Sequence, residues 1–332
     1  MNIITDINQI PSEQWRDLLN TSKTSSFFQS KECYELYGEL SFLSPFVFAV
    51  EDGGNLQGVI VGYSQSESGI KRYFSRRAII NGGPLLAEGI STEALSLLLN
   101  SCRKGLKGKA IYIETRNFED FSAYKAVFEA CGFEYEPHLN FKIDTSSEEV
   151  VRSNLGKSRK RDIRTSLRDG AVVIEEPTEE QVAQFYDVLN DLYTTKVKTP
   201  LWPLEFFQKL SQKEYAKFIL VEYNQQIVGG TVCVCQAGKT VYEWYACGKD
   251  GVFKTVYPSS VATYSAIEYA AKNDYSQFDM MGAGKPDVPY GVRDFKAKFG
   301  GVLVEHGRFE CVLNRPLYEI GKLGLKLLKK LK

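Results

Sequence analysis

Hydrophobic positions in the N-terminal half of the chain follow two different periods, and each period predicts a different kind of element. Apolar runs on both sides of the turn sequence DGGN at 52–55 predict a β-hairpin. Leucines three and four residues apart predict a helix, and an Ile-Tyr-Ile run predicts a buried strand. The predicted order is a hairpin, a helix, a strand, a second helix and a strand that completes the sheet, over 46–63, 91–104, 110–115, 121–131 and 140–143.

Part of this order recurs in the C-terminal half. Two apolar runs flank the polar tripeptide NQQ at 224–226 and predict a second hairpin. A strand, a helix with one apolar face and a further strand follow, over 240–247, 259–273 and 277–281. The repeated order indicates an internal duplication that has diverged beyond recognisable residue identity, and it favours two modules over one continuous sheet.

A basic segment separates the two halves. Residues 152–168 contain seven lysines and arginines and one aspartate. Ser146 with Glu149 predicts a capping box at its start, and Asn154 and Gly156 predict a break into two helices.

The imbalance of charge in this segment favours an anionic partner. Seven like charges repel one another, and a helix face that only meets water normally mixes signs. Arginine is suited to bidentate contact with phosphate. We therefore predict that Arg161 and Arg164 bind an anionic substrate, and a solvated helix face is the alternative.

The segment 291–301 reads GVRDFKAKFGG and places three cations among two phenylalanines before a pair of glycines. A loop or strand end that anchors Phe295 and Phe299 in a core would explain this pattern. If the segment is extended, Lys296 and Lys298 point to opposite sides of it.

The FK-x-x-FGG pattern resembles the signature of the FemABX aminoacyltransferases, bacterial enzymes that add amino acids to peptidoglycan precursors. The likeness extends to the sequence F-x-Q-S at 27–30 and to Arg161, Ile163, Arg164, Gly170 and Val172 in near-matching order. The resemblance implies an α/β fold of two tandem GNAT-like (acetyltransferase-like) modules, each a mixed, mainly antiparallel sheet flanked by helices. The expected parts are an N-terminal module, a basic helical connector, a C-terminal module and a basic amphipathic tail, over 1–145, 146–175, 176–315 and 316–332.

The resemblance also implies roles for particular residues. In the family, the Phe-Lys pair lies where the acyl donor meets the acceptor amine, so Phe295 and Lys296 are the catalytic candidates here. Family members usually carry a lysine that helps to hold the phosphates of a nucleotide-linked acceptor. This chain has Tyr37 at the aligned position, which leaves the identity of the acceptor open.

Acyl transfer to an amine needs hydrogen-bond donors for the developing oxyanion and a donor group held in line, but it needs no protein nucleophile. GNAT-type folds provide this arrangement by splaying two central strands. Lys296 is predicted to stabilise the oxyanion or the leaving group. Asp279 is the candidate proton acceptor, or else a structural cap of the glycine-rich loop after it. Tyr245, Tyr257 and Arg293 complete the predicted substrate-binding residues, with core packing as the alternative for the tyrosines.

Composition argues against several other classes of protein. Lys+Arg and Asp+Glu both total 41, so no global field attracts the chain to nucleic acid or membrane. Two histidines, and seven cysteines without a C-x-x-C pair, argue against a metal site and suit a reducing compartment. The N-terminus lacks a signal-peptide pattern. We therefore expect a cytoplasmic protein with no metal and no bound cofactor.

The acyl donor is left open between two kinds. GNAT enzymes that use acyl-CoA carry a glycine-rich turn whose amides cradle pyrophosphate at a helix start, and the segments at 81–84 and 248–260 lack it. The resemblance implies aminoacyl-tRNA, which would give the basic segment a partner.

The sequence therefore predicts an aminoacyltransferase that acts on an amine of a nucleotide- or lipid-linked peptidoglycan precursor. One alternative is an acyl-CoA-dependent N-acyltransferase of cell-envelope polysaccharide synthesis. The other is a non-enzymatic RNA- or membrane-binding protein that has kept the fold.

The tail at 316–332 interleaves leucine and isoleucine with five lysines. Helical spacing separates these into an apolar stripe and a lysine face, a pattern suited to the surface of an anionic membrane. A helix that docks on the protein with its lysines in water is the alternative.

Overall fold

The computed structural model describes residues 1–66 and 75–330, with side chains described up to residue 324 in the last helix. The chain forms two compact units. Unit 1 comprises Met1–His138 and Glu305–Lys332, and unit 2 comprises Leu139–Val304. The chain therefore leaves unit 1, builds unit 2 and returns to unit 1.

The bounds of the elements follow the hydrophobic pattern of the sequence closely. The strands are β1 (Asn2–Ile4), β2 (Leu43–Asp52), β3 (Asn55–Gln65), β4 (Arg77–Asn81), β5 (Leu85–Leu86), β6 (Tyr112–Arg116), β7 (Glu134–Glu136), β8 (Leu139–Asp144), β9 (Val172–Ile174), β10 (Ala216–Tyr223), β11 (Gln226–Gln236), β12 (Thr240–Gly248), β13 (Gln277–Asp279), β14 (Val302–Glu305) and β15 (Arg308–Val312). The α-helices are α1 (Ser12–Thr21), α2 (Lys31–Gly38), α3 (Thr92–Leu106), α4 (Lys125–Ala130), α5 (Glu148–Asn154), α6 (Lys157–Arg168), α7 (Glu179–Leu192), α8 (Leu204–Ser211), α9 (Pro258–Lys272), α10 (Gly291–Ala297) and α11 (Arg315–Lys330). Short 3-10 helices occupy Ile7–Gln9, Phe27–Gln29 and Ser122–Tyr124, and Tyr193–Val197 is π-helical.

Unit 1 is built on a sheet with the strand order β1-β2-β3-β4-β6-β15-β7, and β5 pairs with β3. β4 and β6 run parallel, and the other pairs of this sheet are antiparallel. Helices α3 and α4 contribute Leu98 and Phe128 to the core against one face of the sheet. Phe128 stacks on Phe309 of β15 with ring centroids 4.1 Å apart, which ties the returning strand into the core of unit 1.

Unit 2 is built on a sheet with the strand order β14-β8-β13-β12-β11-β10-β9. β12 and β13 run parallel, whereas β8 with β13 and the three pairs from β9 to β12 are antiparallel. Helix α9 packs on this sheet, and Ile267 lies in one core with Val241, Phe278 and Phe299. Each unit thus places one parallel pair inside a mainly antiparallel sheet, and the predicted two-module α/β architecture is confirmed.

Two local predictions for the region between the halves are wrong. The run at 140–143 does not complete the first sheet, because β8 pairs with β13 from Asp144 opposite Gln277 to Lys142 opposite Asp279. The cap of α5 is Ser147, not Ser146, and its hydroxyl accepts a hydrogen bond from the backbone N–H of residue 150. The predicted break into two helices is confirmed, since α5 ends at 154 and α6 begins at 157.

The segment 291–301 is helical at its start and not extended. Phe295 and Phe299 are four residues apart, so a helical turn brings both rings to one side, with centroids 5.2 Å apart. The backbone N–H of Lys298 donates to the carbonyl of Phe295, which closes the last turn of α10. Phe299 is buried and Phe295 is half-buried against the same core cluster, which favours this turn over a strand.

The tail forms the predicted helix despite its two glycines. Tyr318 packs edge-on against Tyr112 with centroids 5.6 Å apart, while Ile320 and Leu323 are 50% and 60% exposed. The part of the predicted lysine face that falls at 325–332 lies outside the residues whose side chains are described. Within the described part of the chain, no helix is both long enough and apolar enough to span a bilayer.

Candidate active site

The candidate active site begins where two neighbouring strands of unit 2 stop pairing. The parallel strands β12 and β13 pair only from Thr240 opposite Gln277 to Tyr242 opposite Asp279. Beyond this point β12 stays paired with β11, and a bulge at Trp244 strengthens its local twist. The hydrogen-bonded ladder between the two strands therefore ends there, and this leaves a break in the pairing, called the gap below, between the second half of β12 and the backbone that follows β13.

Lys296 lies at this gap. Its side chain is 9% exposed, and its Nζ donates hydrogen bonds to the carbonyl oxygens of Met280 and Gly282, the latter at 2.8 Å. These carbonyls follow β13 at the point where β12 no longer supplies partners, so the ammonium satisfies backbone groups that a continuous sheet would have paired. An ammonium has three N–H donors, and two carbonyls occupy two of them.

Two buried carboxylates act on the charge of Lys296. Burial lowers the pKa of the Lys296 ammonium, and the charges of Glu243 and Asp279 raise it. Glu243 of β12 is 5% exposed and accepts hydrogen bonds from the hydroxyls of Thr231 and Thr263 at 3.3 and 2.7 Å. Burial raises the pKa of Glu243, and the charge of Lys296 opposes that change. The site therefore holds the Lys296 ammonium and two acidic side chains away from water, where electrostatic interactions are stronger.

Asp279, the candidate proton acceptor, is fully buried at the end of β13. Its Oδ1 accepts hydrogen bonds from Asn140 Nδ2 and from the backbone N–H of Met281, both at 2.7 Å. Its Oδ2 has no hydrogen-bond partner among the described residues. Burial raises the pKa of Asp279, and the charge of Lys142 is the largest opposing effect. One oxygen caps the loop after β13, and the other is left able to accept a proton.

Arg293, a predicted substrate-binding residue, contacts the backbone of the loop that precedes α10. Its Nε donates to the carbonyl of Ala283 at 2.9 Å, and its Nη1 donates to Pro286 at 3.2 Å. Its Nη2 donates to the carbonyl of Lys285 and to that of Val288, the latter at 3.2 Å. One guanidinium thus binds four carbonyl groups.

Arg159 of α6 packs against the phenylalanines of the FK-x-x-FGG segment, a role that the sequence did not reveal. Arg159 is 8% exposed, and its guanidinium carbon lies 4.3 Å from the ring centre of Phe295 and 5.2 Å from that of Phe299. Its Nη1 donates to Ser260 Oγ at 2.6 Å and lies 3.5 Å from Asp162 Oδ2. The available signal was Asp162 three residues after Arg159, since that spacing places an ion pair on one helix face.

The glycines of the FK-x-x-FGG pattern allow α10 to approach the basic segment closely. Gly300 has a φ of +84°, and a Cβ at this position would come within 2.2 Å of the carbonyl oxygen of Asn154. The backbone N–H of Gly156 donates to the carbonyl of Lys298 at 3.0 Å. The two sequence motifs therefore meet through their backbones, and the Lys298 side chain is exposed.

The solvent-facing side of α6 carries most of the cations of the basic segment. Arg161 pairs with Asp162 at 3.2 Å, and Arg168 pairs with Asp169 at 2.7 Å. Arg164 forms no ion pair with any of the described residues. The exposed cations recur at helical spacing, at positions 157, 160, 161, 164 and 168. Acidic neighbours balance part of this charge, and a net positive face remains.

The tyrosines named from the sequence lie in different surroundings. Tyr245 is half-buried, and its ring lies 5.2 Å from that of Phe207, so at least part of it packs in the core. Tyr257 is half-buried and precedes α9 as its N-cap residue. Tyr37 is 1% exposed and accepts a hydrogen bond from Asn81 Nδ2 at 3.2 Å. Tyr37 is therefore a core residue.

The start of α9 has few free amides with which to cradle pyrophosphate. Pro258 has no N–H, and the N–H of Ser259 donates to Asp250 Oδ1 at 3.2 Å. The N–H of Ser260 donates to the carbonyl of Tyr257 at 3.1 Å. Over residues 1–66 and 75–330, no cluster of three or more His, Cys, Asp or Glu side chains is arranged to hold a metal ion.

Comparisons with known proteins agree on the fold. The model of the FemAB family matches residues 202–326. The structure of FemX superposes with a TM-score of 0.72 at 14% identity, over 96% of this chain and 99% of FemX. L-PGS from Bacillus licheniformis gives 0.57 at 13% identity, over 94% of this chain and 96% of that one. A tandem GNAT protein of the clavulanic acid biosynthesis pathway gives 0.56 at 10% identity, over 94% and 98%. No curated protein matches the chain.

The tandem GNAT fold and the FemAB match over residues 202–326 support an acyltransferase. Within that class, the resemblance to the FemABX proteins is confirmed by the FemAB match in the C-terminal part of the chain and by the FemX-like fold along nearly all of it.

Proposed function

We propose that this protein transfers an aminoacyl group from aminoacyl-tRNA to an amine of a peptidoglycan precursor. The observation that carries the proposal is the buried ammonium of Lys296 at the point where the pairing of β12 and β13 ends. The donor ester would lie in this gap with its carbonyl oxygen towards the third N–H of the ammonium. A charge fixed in a site that excludes water needs no reorganisation as the oxyanion develops.

In the proposed reaction the acceptor amine attacks the ester carbonyl carbon and forms a C–N bond. The tetrahedral oxyanion collapses, the C–O bond to the tRNA ribose breaks, and the ribose hydroxyl leaves with a proton. The amine loses one proton in the same sequence. Asp279 Oδ2, a buried carboxylate oxygen with no hydrogen-bond partner among the described residues, supports a role for Asp279 as the acceptor of that proton.

Two features support aminoacyl-tRNA over acyl-CoA as the donor. The first amides of α9 already have partners, so a pyrophosphate would have to displace the Asp250 carboxylate. The exposed cations of α6, including Arg161 and Arg164, present a surface suited to a polyanion. We therefore place the tRNA backbone at α6. Phe295, whose ring lies against the Arg159 guanidinium, would help to shape the pocket for the acyl group.

The test is a transfer assay that uses the full chain and two kinds of donor. Labelled aminoacyl-tRNAs and labelled acyl-CoAs are each supplied with a nucleotide-linked or a lipid-linked peptidoglycan precursor. We expect product only with aminoacyl-tRNA, and we expect the rate to fall as salt rises. Transfer from acyl-CoA alone would support the rival N-acyltransferase, and RNA binding without transfer from either donor would support a non-enzymatic protein.

A further inference from the structure

The loop between β13 and α10 has no regular secondary structure, yet two cations of α10 hold its carbonyl groups. Lys296 binds the carbonyls of Met280 and Gly282, and Arg293 binds four more within residues 283–288. Arg293 and Lys296 are three residues apart, so they lie on the same side of the helix. One short helix thus holds a continuous run of backbone, which we name the site loop (residues 280–288).

We propose that Arg293 is a positioning residue, which acts on the reaction by holding the site loop and not by binding substrate. A guanidinium carries five N–H donors in a fixed plane, and four carbonyl contacts commit most of them. An incoming anion would have to break these bonds. Carbonyls left without partners carry a free-energy cost that favours the bonds seen here.

The backbone of the site loop needs such support. Met281 has a φ of +51°, a conformation that non-glycine residues rarely adopt without help from their surroundings. Gly284 lies against the ring of Tyr290, where a Cβ would come within 2.9 Å of the ring. Tyr290 is 43% exposed, so the shape of the loop also sets the place of a ring that faces solvent.

Arg293 acts on the chemistry through Lys296. The loop segment that Arg293 holds continues directly from the carbonyls that bind the Lys296 ammonium. A shift of the loop would move those carbonyls and with them the charge that faces the oxyanion. A misplacement of about 1 Å in a reacting group is enough to lower the rate by about a hundred-fold.

The first test needs no substrate. Hydrogen–deuterium exchange of the backbone amides of 280–290 is measured in the full chain, in Arg293→Lys, in Arg293→Gln and in the control Asp294→Asn. Asp294 lies on the same helix with an exposed side chain. Both Arg293 variants should exchange at least about ten-fold faster in this segment, because local opening becomes less costly, and the control should not. Unchanged exchange in Arg293→Gln would overturn the proposal, whatever the substrate proves to be.

The second test rests on the proposed function and separates positioning from binding. In the transfer assay, both Arg293 variants should lose about a hundred-fold in kcat, with KM and its salt dependence nearly unchanged. A normal kcat, a raised KM with a flatter salt dependence in Arg293→Gln, and rescue by Arg293→Lys would show that Arg293 binds an anion. If the unaltered protein transfers nothing, the proposed function fails, and the exchange measurement still decides whether Arg293 holds the loop.

Discussion

Replacing Lys296 with methionine tests the site most directly. The side chain keeps its length and loses its charge and its three N–H donors. Lys298, two residues later, supplies the matched control, since its side chain is exposed. We expect Lys296→Met to lose most of its transfer rate and Lys298→Met to be nearly silent.

Lys296→Met should lower both the transfer rate and the free energy of unfolding, and the contacts of Lys296 set the size of each loss. Removal of one preorganised electrostatic stabiliser lowers turnover by about a hundred- to a thousand-fold. The ammonium also satisfies the carbonyls of Met280 and Gly282. Each acceptor left without a partner costs about 1–3 kcal/mol, and relief from burying a charge offsets part of that loss. The variant should therefore be less stable by about 2 kcal/mol.

The choice of assay temperature separates the loss of transfer rate from the loss of stability. Single-turnover transfer is measured well below the midpoint of thermal unfolding of each variant, where both variants are folded. Acceptor affinity, measured separately, should change by no more than a few-fold. If Lys298→Met is the slow variant and Lys296→Met the active one, the motif has been aligned wrongly. If both transfer at the normal rate, the ammonium plays no part in the chemistry.

Four further changes test other parts of the structure. Gly300→Ala should lower the free energy of unfolding by more than about 1 kcal/mol, because its φ of +84° and its close neighbours leave no room for a Cβ; a change within the error of urea unfolding would contradict this. Because the pKa of Glu243 is raised in the folded protein, its protonated form contributes stability that is complete below pH 4.5 and is lost as the pH rises above that value. Glu243→Gln should therefore make the free energy of unfolding depend less on pH above 4.5, and an unchanged pH profile would refute that reasoning. Arg161→Gln with Arg164→Gln should weaken substrate binding and reduce its salt dependence, whereas equal affinity and slope would identify a solvated face. Removal of 317–332 should weaken binding to anionic vesicles, where each lysine contributes about 1 kcal/mol. If the full chain does not bind such vesicles, α11 is a docked helix.

The sequence predicted those elements whose partners lie nearby in the chain. The hairpin of β2 and β3 and the helix α3 were readable because their apolar periods repeat over many residues. β15 also alternates, but its partners lie far away: the N–H of Phe309 donates to Thr115 Oγ1 across 194 positions. The local sequence pattern does not indicate which sheet such a short strand joins.

The same limit applies to the candidate site. The FK-x-x-FGG pattern identified Lys296, because a cation between two aromatic residues is visible in residue types. The acceptors of Lys296 are backbone carbonyls, and any residue type supplies a carbonyl, so the sequence could not indicate them. Arg159 was hidden for a related reason: its cation–π contacts with Phe295 and Phe299 join residues more than a hundred positions apart.

The return of the chain to unit 1 determines which unit can fold first during synthesis. β15 lies between β6 and β7, so this sheet cannot close until the ribosome has released residues 308–312. Unit 2 is one continuous stretch and has all its strands before that moment. We therefore expect the second unit to fold first, against the usual N-terminal-first order. Until β15 arrives, β6 and β7 present unpaired edges open to other nascent chains, so a chain cut short before residue 308 would be released in an aggregation-prone state.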